Sequence, residues 1–196
     1  MLSQKRSKNV LTSPYFIPKN FTKPSQDLLI RKDCFINNRL SLNSLNAVYY
    51  PITKNDRKAF KNPKTSRNVT EFQFKVYDLC SQIPEGYVST YRMIATALSS
   101  SPRAVGGALR VNPFAPLPVP CHRVIASNFF IGGFDGEWFG RDDKSRSKKE
   151  KYRSEKIDRK SERLAKEGIL FDNEGWLIEW QRSSQIFNDF DVSKLS

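Results

Sequence analysis

The only histidine of this chain directly follows a cysteine, and this pair is the part of the sequence best suited to chemistry. Cys121 is followed by His122 and Arg123, and Pro120 stiffens the chain just before it. A thiol is a nucleophile only as the thiolate, and neighbouring imidazole and guanidinium groups lower the pKa of a thiol. The alternative is a buried apolar cysteine beside an unrelated surface histidine. The triplet alone leaves both interpretations open.

Adjacent residues in an extended segment seldom touch side chain to side chain. A proton passing from Cys121 to His122 therefore needs a tight turn or an intervening water molecule. A carboxylate from elsewhere in the chain is then expected to orient His122, as in other nucleophile–base–acid triads. Cys34 and Cys80 have no histidine or arginine beside them. Three scattered cysteines without a CxxC pair argue against a disulfide framework and a structural zinc site, so we expect free thiols and no metal.

Helix-capping signals predict the elements that precede Cys121. Thr70 followed by Gln73 fits a capping box, and apolar residues recur at helical spacing through the next turns. Thr90 is expected to cap a second helix, which a run of three serines ends. Ser101 and Pro102 then fit the N-cap and first position of a third helix, which ends before Asn112-Pro113. Two short helices joined by a break form a helix-turn-helix outline, although an ordinary two-helix corner has the same pattern.

The residues that follow this third helix predict a loop, short strands and a last helix. Four prolines between 113 and 120 indicate a stiff, extended loop that delivers Cys121. The segment 124–126 is typical of a short strand, and residues 161–168 of a helix that stops at Gly168. Residues 169–180 resemble a short hairpin or a last strand. We therefore expect a mainly α fold with short strands (α/β).

The basic residues are concentrated in the N-terminal part of the chain. Residues 1–70 contain 14 Lys or Arg against 3 acidic residues, residues 71–140 contain 5 against 5, and residues 141–196 contain 14 against 12. An excess of positive charge suggests a polyanionic partner such as nucleic acid, although a merely soluble basic tail is the alternative. Residues 1–68 show no clear helical period, and 54–68 is interpreted as a linker.

The sequence also indicates where the protein works. No run of about 18 apolar residues is present, and the N-terminus lacks the apolar core of a signal peptide, so no membrane association is expected. The first nine residues, MLSQKRSKN, fit a weak nuclear signal or a mitochondrial one. The nucleus is the favoured location, and we expect the protein to be a monomer.

Several motifs in this order resemble one family. VPCHRVI at 119–125 resembles the active-site signature of the O6-alkylguanine-DNA alkyltransferases, also called methylated-DNA–protein-cysteine methyltransferases. STY at 89–91, RAVGGALRVNP at 103–113 and GGF at 132–134 match the surroundings of that signature. The resemblance covers about residues 69–180. It implies a winged helix-turn-helix-like alkyltransferase domain at 69–180, preceded by a weakly ordered basic segment at 1–68 and followed by a tail at 181–196.

The resemblance also implies a function. The family transfers an alkyl group from O6 of guanine in double-stranded DNA to its own cysteine, irreversibly and once per molecule. No cofactor is implied. Cys121 matches the acceptor, His122 the base that acts on it through a water molecule, and Glu167 the carboxylate that orients the histidine. Glu162 is the alternative for that carboxylate.

The remaining site residues are assigned by the same resemblance. Asn112 matches the asparagine that ties the recognition helix to the active-site loop, with Pro120 and Arg123 as further support for the site. Arg103 matches the finger that fills the gap left by a flipped base, and Tyr91 the tyrosine that pushes on the 3′ phosphate. The resemblance also assigns Gly106, Gly107 and Arg110 to DNA binding, since a side chain at either glycine would hold the helix away from the minor groove.

Two other functions remain alternatives at this point. The first is a DNA-binding module without transfer chemistry, like the alkyltransferase-like proteins, which lack the acceptor cysteine. The presence of Cys121 and His122 argues against it. The second is a thiol hydrolase, which needs a lateral contact between these two side chains and a water route to an acyl intermediate. Their adjacency in the chain makes that contact difficult.

Overall fold

The computed structural model describes residues 16–17, 48–134, 137–138 and 155–195. This part of the chain is rich in helix, with short strands between the helices, as the sequence predicts. The helices are α1 (Lys54–Ala59), α2 (Glu71–Ser81), α3 (Tyr91–Ala97), α4 (Pro102–Arg110), α5 (Glu155–Lys166) and α6 (Gln181–Ser184). The strands are β1 (Phe16–Ile17), β2 (Ser89–Thr90), β3 (Val124–Ile125), β4 (Gly133–Phe134), β5 (Glu137–Trp138) and β6 (Phe171–Asp172).

Helices α2, α3 and α4 begin at the residues that the capping signals predict. Thr70 Oγ1 accepts from the amide of Gln73, and the Gln73 side chain accepts from the amide of Thr70, which completes the capping box of α2. Thr90 caps α3, and Ser101 caps α4 with Pro102 in its first turn. These side chains satisfy amide groups that a helix N-terminus leaves without internal partners.

Short strand ladders connect the helices. β2 pairs with β3 in parallel, which places Ser89 opposite Val124 and joins the start of α3 to the segment after the cysteine. β4 pairs with β5 antiparallel, and β1 pairs with β6 in parallel. The hairpin predicted near residues 169–180 is also present, because Phe171 bridges Leu177 antiparallel and the amide of Asp172 donates to the carbonyl of Trp176 at 2.8 Å.

Two apolar clusters lie on either side of the β2–β3 ladder. The first is formed mainly by α2, α3 and α4, and its largest fully buried members are Tyr77, Phe74, Phe114, Leu79, Ile83 and Ile94. The second joins α5 to the strands and includes Ile125, Ile131, Ile157, Leu164, Phe171 and Leu177. The segment that carries Cys121 runs between these clusters, since Val124 belongs to the first and Ile125 to the second.

The interpretation of residues 54–68 as a linker is wrong. Thr53 caps α1, and Arg57 from that helix is buried against α2. Its guanidinium donates to both carboxylate oxygens of Asp78 at 2.8 Å and lies 4.8 Å from the ring centre of Phe74. The folded structure of residues 54–68 depends on one buried ion pair and on the packing of Phe60, not on an apolar repeat. Hydrophobic periodicity therefore gave no signal for it.

Residues 181–195 also differ from the expected tail. The side chain of Gln82 donates to the carbonyl of Asp191 at 3.0 Å and accepts from the amide of Asp191 at 2.8 Å. Phe187 and Phe190 pack against the first apolar cluster. The packed part of the chain therefore includes residues 48–68 and 181–195, beyond the expected domain limits of 69 and 180.

Some expectations concern residues that the structure leaves out. Cys34, the basic N-terminal nonapeptide and residues 141–154 lie outside the described residues. Within the described ranges, no helix has the length and apolar character needed to cross a membrane.

Candidate active site

Asn112 ties the two ends of the proline-rich loop together. It follows Val111, the last residue of the turn that ends α4, and its side chain is 1% exposed. Its amide nitrogen donates to the carbonyl of Val119 at 3.1 Å, and its oxygen accepts from the amide of Phe114 at 2.9 Å. The end of α4 and the residues just before Cys121 are therefore held at a fixed separation, as the resemblance implies.

A single 3₁₀ turn at Cys121–Arg123 presents the reactive pair. The amide of Cys121 donates to the carbonyl of Val119 at 2.8 Å, and the amide of Arg123 donates to the carbonyl of Pro120 at 2.9 Å. Cys121 and His122 therefore share a tight turn, which is one of the two arrangements expected from the sequence for a proton path between them. Cys121 is half-buried, whereas His122 is only 3% exposed.

Glu167 is the carboxylate that meets His122. Its Oε1 lies 2.8 Å from His122 Nε2, and Arg123 donates to both of its oxygens at 2.8 and 2.9 Å. It follows α5 directly, and Gly168 adopts a φ of +80°, a conformation that favours glycine and ends the helix there. The alternative, Glu162, instead pairs with Lys166 on the solvent-exposed side of α5.

The electrostatics of Glu167 fix the proton on His122. Burial raises the pKa of Glu167, but hydrogen bonds from His122 and Arg123 outweigh it and hold that pKa below its usual range. The ionised carboxylate only accepts hydrogen bonds, so Nε2 of a neutral His122 carries the proton and Nδ1 carries the lone pair. Nδ1 is buried and has no hydrogen-bond partner among the described residues. This geometry makes Nδ1 the basic atom of the site.

Cys121 needs such a base. Burial raises the pKa of its thiol, and the opposing effects of an Asn112 hydrogen bond and of the charges on Lys160, Lys64 and Arg163 do not cancel that rise. The thiol is therefore mainly protonated at neutral pH, where only a thiolate attacks efficiently.

Cys80 differs from Cys121 in its surroundings. It is fully buried in the first apolar cluster, and burial raises its pKa well above the usual value. Cys80 therefore has the surroundings of a packed core thiol, while Cys121 has those of a reactive one.

Within the described ranges, no group of three or more His, Cys, Asp or Glu side chains is arranged to hold a metal ion.

Lys160 is a site residue that the sequence analysis missed. Its ammonium is fully buried and donates to the carbonyls of Val124, Ile131 and Gly133 at 2.8, 2.7 and 3.3 Å. Burial lowers the pKa of Lys160 to about 7, although only an ammonium supplies three donors for three carbonyls. Its helical spacing from Ile157 and Leu164, which places all three on one buried face, was the available signal.

The residues assigned to DNA binding cluster around α4. Arg103, Gly107 and Arg110 are exposed, and their spacing of four and three residues places them along one side of the helix. A Cβ at Gly107 would meet nothing within 4 Å, and one at Gly106 would lie 3.9 Å from the ring of Tyr91, an ordinary contact. Packing within the described part of the chain therefore requires neither glycine, and their assignment to DNA binding stays a prediction.

Tyr91 lies between α4 and the active-site loop. Its hydroxyl donates to the carbonyl of Gly133 at 3.3 Å. Burial raises the pKa of Tyr91, and the thiol of Cys121 contributes to the rise. The hydrogen bond joins the start of α3 to β4, and the role implied by the resemblance, a push on a phosphate, stays a prediction.

Comparisons with known proteins identify the family of this chain. The family model described as 6-O-methylguanine DNA methyltransferase, DNA binding domain, matches residues 71–169. Because this match covers half of the chain, the chain belongs to that family.

Individual relatives match over shorter stretches. The methylated-DNA–protein-cysteine methyltransferase of Methanothermobacter thermautotrophicus is 49% identical over 67 residues, which cover 34% of this chain and 38% of the relative. That of Thermococcus kodakarensis is 47% identical over 88 residues, 43% of this chain and 50% of the relative. The crystal structure of the O6-methylguanine-DNA methyltransferase of Pyrococcus kodakaraensis matches 58% of each chain at 34% identity, with a TM-score of 0.39. The chain thus spans half or less of the length of these two curated relatives.

Proposed function

We propose that this protein repairs DNA by transferring an alkyl group from O6 of guanine to Cys121. The observation that carries the proposal is the His122–Glu167 pair, which leaves Nδ1 of His122 without a hydrogen-bond partner among the described residues, in the same 3₁₀ turn as the half-buried Cys121. Membership of the chain in a family described by 6-O-methylguanine and DNA binding supports the choice of substrate.

The reaction balances with the groups present. His122 Nδ1 takes the thiol proton, through one water molecule where the direct path is too long. The sulfur then attacks the alkyl carbon, the S–C bond forms, and the C–O6 bond of the guanine breaks. The proton taken from the thiol neutralises the departing guanine, so charge is conserved. The product is a thioether at Cys121, and the absence of a step that removes it makes the transfer a single event for each molecule.

Access to O6 requires the base to leave the DNA stack. A stacked guanine does not offer its O6 substituent in line to a protein thiol, and unstacking costs a few kcal/mol. We assign α3 and α4 as a helix-turn-helix that lies in the minor groove, with Arg103 in the gap left by the flipped base. The exposed stripe of Arg103, Gly107 and Arg110 supports this assignment, as does the open space around Gly107.

Intact-mass measurement tests the transfer. The protein is incubated with a double-stranded oligonucleotide containing one O6-methylguanine, and peptide mapping then locates the added methyl group. We expect one methyl group on Cys121, none on Cys34 or Cys80, and none at all in Cys121→Ser, which should still bind the DNA. Binding without added mass would instead indicate a recognition module, and turnover of an ester substrate a hydrolase.

We also propose that the protein acts in the nucleus as a monomer. The basic residues at the extreme N-terminus support the location. A fluorescent fusion of the full chain should concentrate in the nucleus, and removal of residues 2–9 should redistribute it. Light scattering of the purified protein should give the mass of one chain, and the mass of one chain plus one duplex when an oligonucleotide too short for two molecules is present.

A further inference from the structure

Two carbonyl oxygens at the end of α4 are held by side chains from a turn that precedes the residues matched by the family model. The amide of Asn62 donates to the carbonyl of Val111 at 2.7 Å, and the ammonium of Lys64 donates to the carbonyl of Asn112 at 2.6 Å. The family match begins only at residue 71. The last carbonyls of a helix lack partners within it, so these contacts act as a C-terminal cap from a distant segment.

The turn that supplies this cap is itself well fixed. Asn62 is 2% exposed, and its carbonyl accepts from the amide of Ser66 at 2.8 Å. The Asn62 side-chain oxygen accepts from the amide of Lys64 at 2.8 Å, so one side chain both shapes the turn and reaches Val111. An antiparallel bridge between Lys61 and Asn68 closes the turn. The two donors therefore meet α4 from a prearranged position.

We propose that Asn62 and Lys64 are positioning residues that set the place of the Cys121 thiol by holding the backbone of Val111 and Asn112. The inference rests on the proposed transfer to Cys121. The path is short, because Asn112 binds the carbonyl of Val119, and that same carbonyl accepts from the amide of Cys121. A shift of the Asn112 backbone is thereby passed to the residue that carries the sulfur.

The charge of Lys64 contributes as well as its hydrogen bond. Burial raises the pKa of the Cys121 thiol, and an Asn112 hydrogen bond and the charges of Lys160, Lys64 and Arg163 lower it. Cys121 in turn contributes to the raised pKa of Tyr77, Cys80 and Tyr91, and His122 follows it in the same 3₁₀ turn. Among the three charged side chains, Lys64 is the one that lies before the family-matched residues. A positive charge favours the thiolate, so its removal should move the reactivity of Cys121 to higher pH.

The test compares Lys64→Met, Lys64→Arg and Asn62→Ala in the full chain, with Lys58→Met as the matched control. Lys58 is an exposed lysine of the same segment, on α1. Two rates are measured for each variant: transfer from the free O6-methylguanine base, and alkylation of Cys121 by iodoacetamide from pH 6 to 10, followed by peptide mapping. The second rate reports the thiol without depending on the proposed function.

We expect Lys64→Met to slow transfer about three- to tenfold, the effect of one lost hydrogen bond, and to move the iodoacetamide profile to higher pH. Asn62→Ala should slow transfer comparably, Lys64→Arg should restore most of the rate, and Lys58→Met should match the unsubstituted chain. An unchanged rate and profile in Lys64→Met would overturn the inference. So would a loss that Lys64→Arg fails to restore. If the unsubstituted chain accepts no alkyl group, the proposed function fails, and the iodoacetamide profiles still decide whether Lys64 positions the thiol.

Discussion

The surroundings of Cys121 affect the pKa of its thiol in a direction opposite to the one that attack by the sulfur needs. Burial excludes water from the site but raises the pKa of the thiol, which keeps it protonated. The proposed base, His122, has a fixed orientation. Its Nε2 is hydrogen-bonded to Glu167, and Arg123 donates two hydrogen bonds to the same carboxylate. Arg123 also donates to the carbonyl of Ile83, which anchors the whole group to the end of α2.

The first prediction separates the base from the group that orients it. His122→Ala should slow transfer by about 10²–10⁴, the usual contribution of a positioned base. Glu167→Gln should slow it less, because the amide keeps an oxygen that accepts from Nε2 and acts one step further from the sulfur. Rates are measured by intact mass under single-turnover conditions. A larger loss in Glu167→Gln than in His122→Ala would contradict this order.

The second prediction concerns stability at acid pH. The folded-state pKa of Glu167 is lowered, so the stability it contributes is complete above its unfolded pKa and is lost as the pH falls through the lower folded value. Glu167→Gln should therefore reduce the urea midpoint most at pH 7 and progressively less below about pH 4. Glu162→Gln, on the exposed side of α5, is the control, and its midpoint should follow the unsubstituted chain throughout.

At the scale of single elements, the sequence predicted what local signals encode. The caps of α2, α3 and α4 depend on side chains within three residues of the helix start, and each was read correctly. The ion pair that holds α1 and the carbonyl partners of Lys160 lie 21 to 36 residues away, which no local pattern reveals; only the buried face of Lys160 had a local signal, its helical spacing from Ile157 and Leu164. Glu167 was assigned through the family resemblance, and only the fold shows that it reaches His122 while Glu162 does not.

The third prediction tests how α5 is held against the active-site strand. Lys160→Met keeps most of the side-chain volume but removes the lysine donor from the carbonyls of Val124, Ile131 and Gly133, of which Gly133 keeps the hydroxyl of Tyr91. Buried acceptors without partners cost about 1–3 kcal/mol each, offset in part by removal of a buried charge. We expect a loss of about 2–4 kcal/mol in unfolding free energy, measured by urea denaturation, and slower transfer. A variant as stable as the unsubstituted chain would show that these hydrogen bonds contribute nothing net.

The fourth prediction tests the role of α4. Arg103 is exposed at the start of this helix and touches none of the groups around Cys121 described above. Arg103→Ala should slow transfer from O6-methylguanine in duplex DNA much more than transfer from the free base, which needs no extrusion. Arg159→Ala, on the exposed side of α5, is the control and should affect neither substrate. Equal losses on both substrates would argue against a part in base flipping.

At the scale of the whole molecule, the N-terminal basic region divides into two parts. Residues 1–47 hold eight Lys or Arg against two acidic residues, whereas residues 48–68 pack onto α2 and α4. Charge in the second part is used within the fold at Arg57 and Lys64, whereas of the first part the structure describes only β1, which pairs with β6. Deletion of the first part should therefore change different properties of the protein than deletion of both parts.

The fifth prediction compares two truncations on this basis. Deletion of residues 1–47 should weaken DNA binding and reduce the slope of affinity against salt, because fewer counterions are released. Its transfer rate at saturating DNA should stay within about twofold of the full chain, a difference below 0.5 kcal/mol. Deletion of residues 1–65 should also lower stability and the saturating rate. The measurements are binding at several salt concentrations, urea denaturation and single-turnover transfer. Equal saturating transfer rates in both truncated chains would contradict the division of the N-terminal region into residues 1–47 and 48–68.

The contact between Gln82 and Asp191 has a consequence for how the protein is made. These residues lie 109 positions apart, and the bridge between Val88 and Ile186 joins the same two regions. During translation, the side chain of Gln82 at the end of α2 lacks this partner until the 109 residues up to Asp191 have been made. The first apolar cluster can begin to assemble earlier, but Phe187 and Phe190 cover it only once their segment has left the ribosome. A chain truncated just before Phe187 would thus carry every residue assigned to the site and an incompletely closed core.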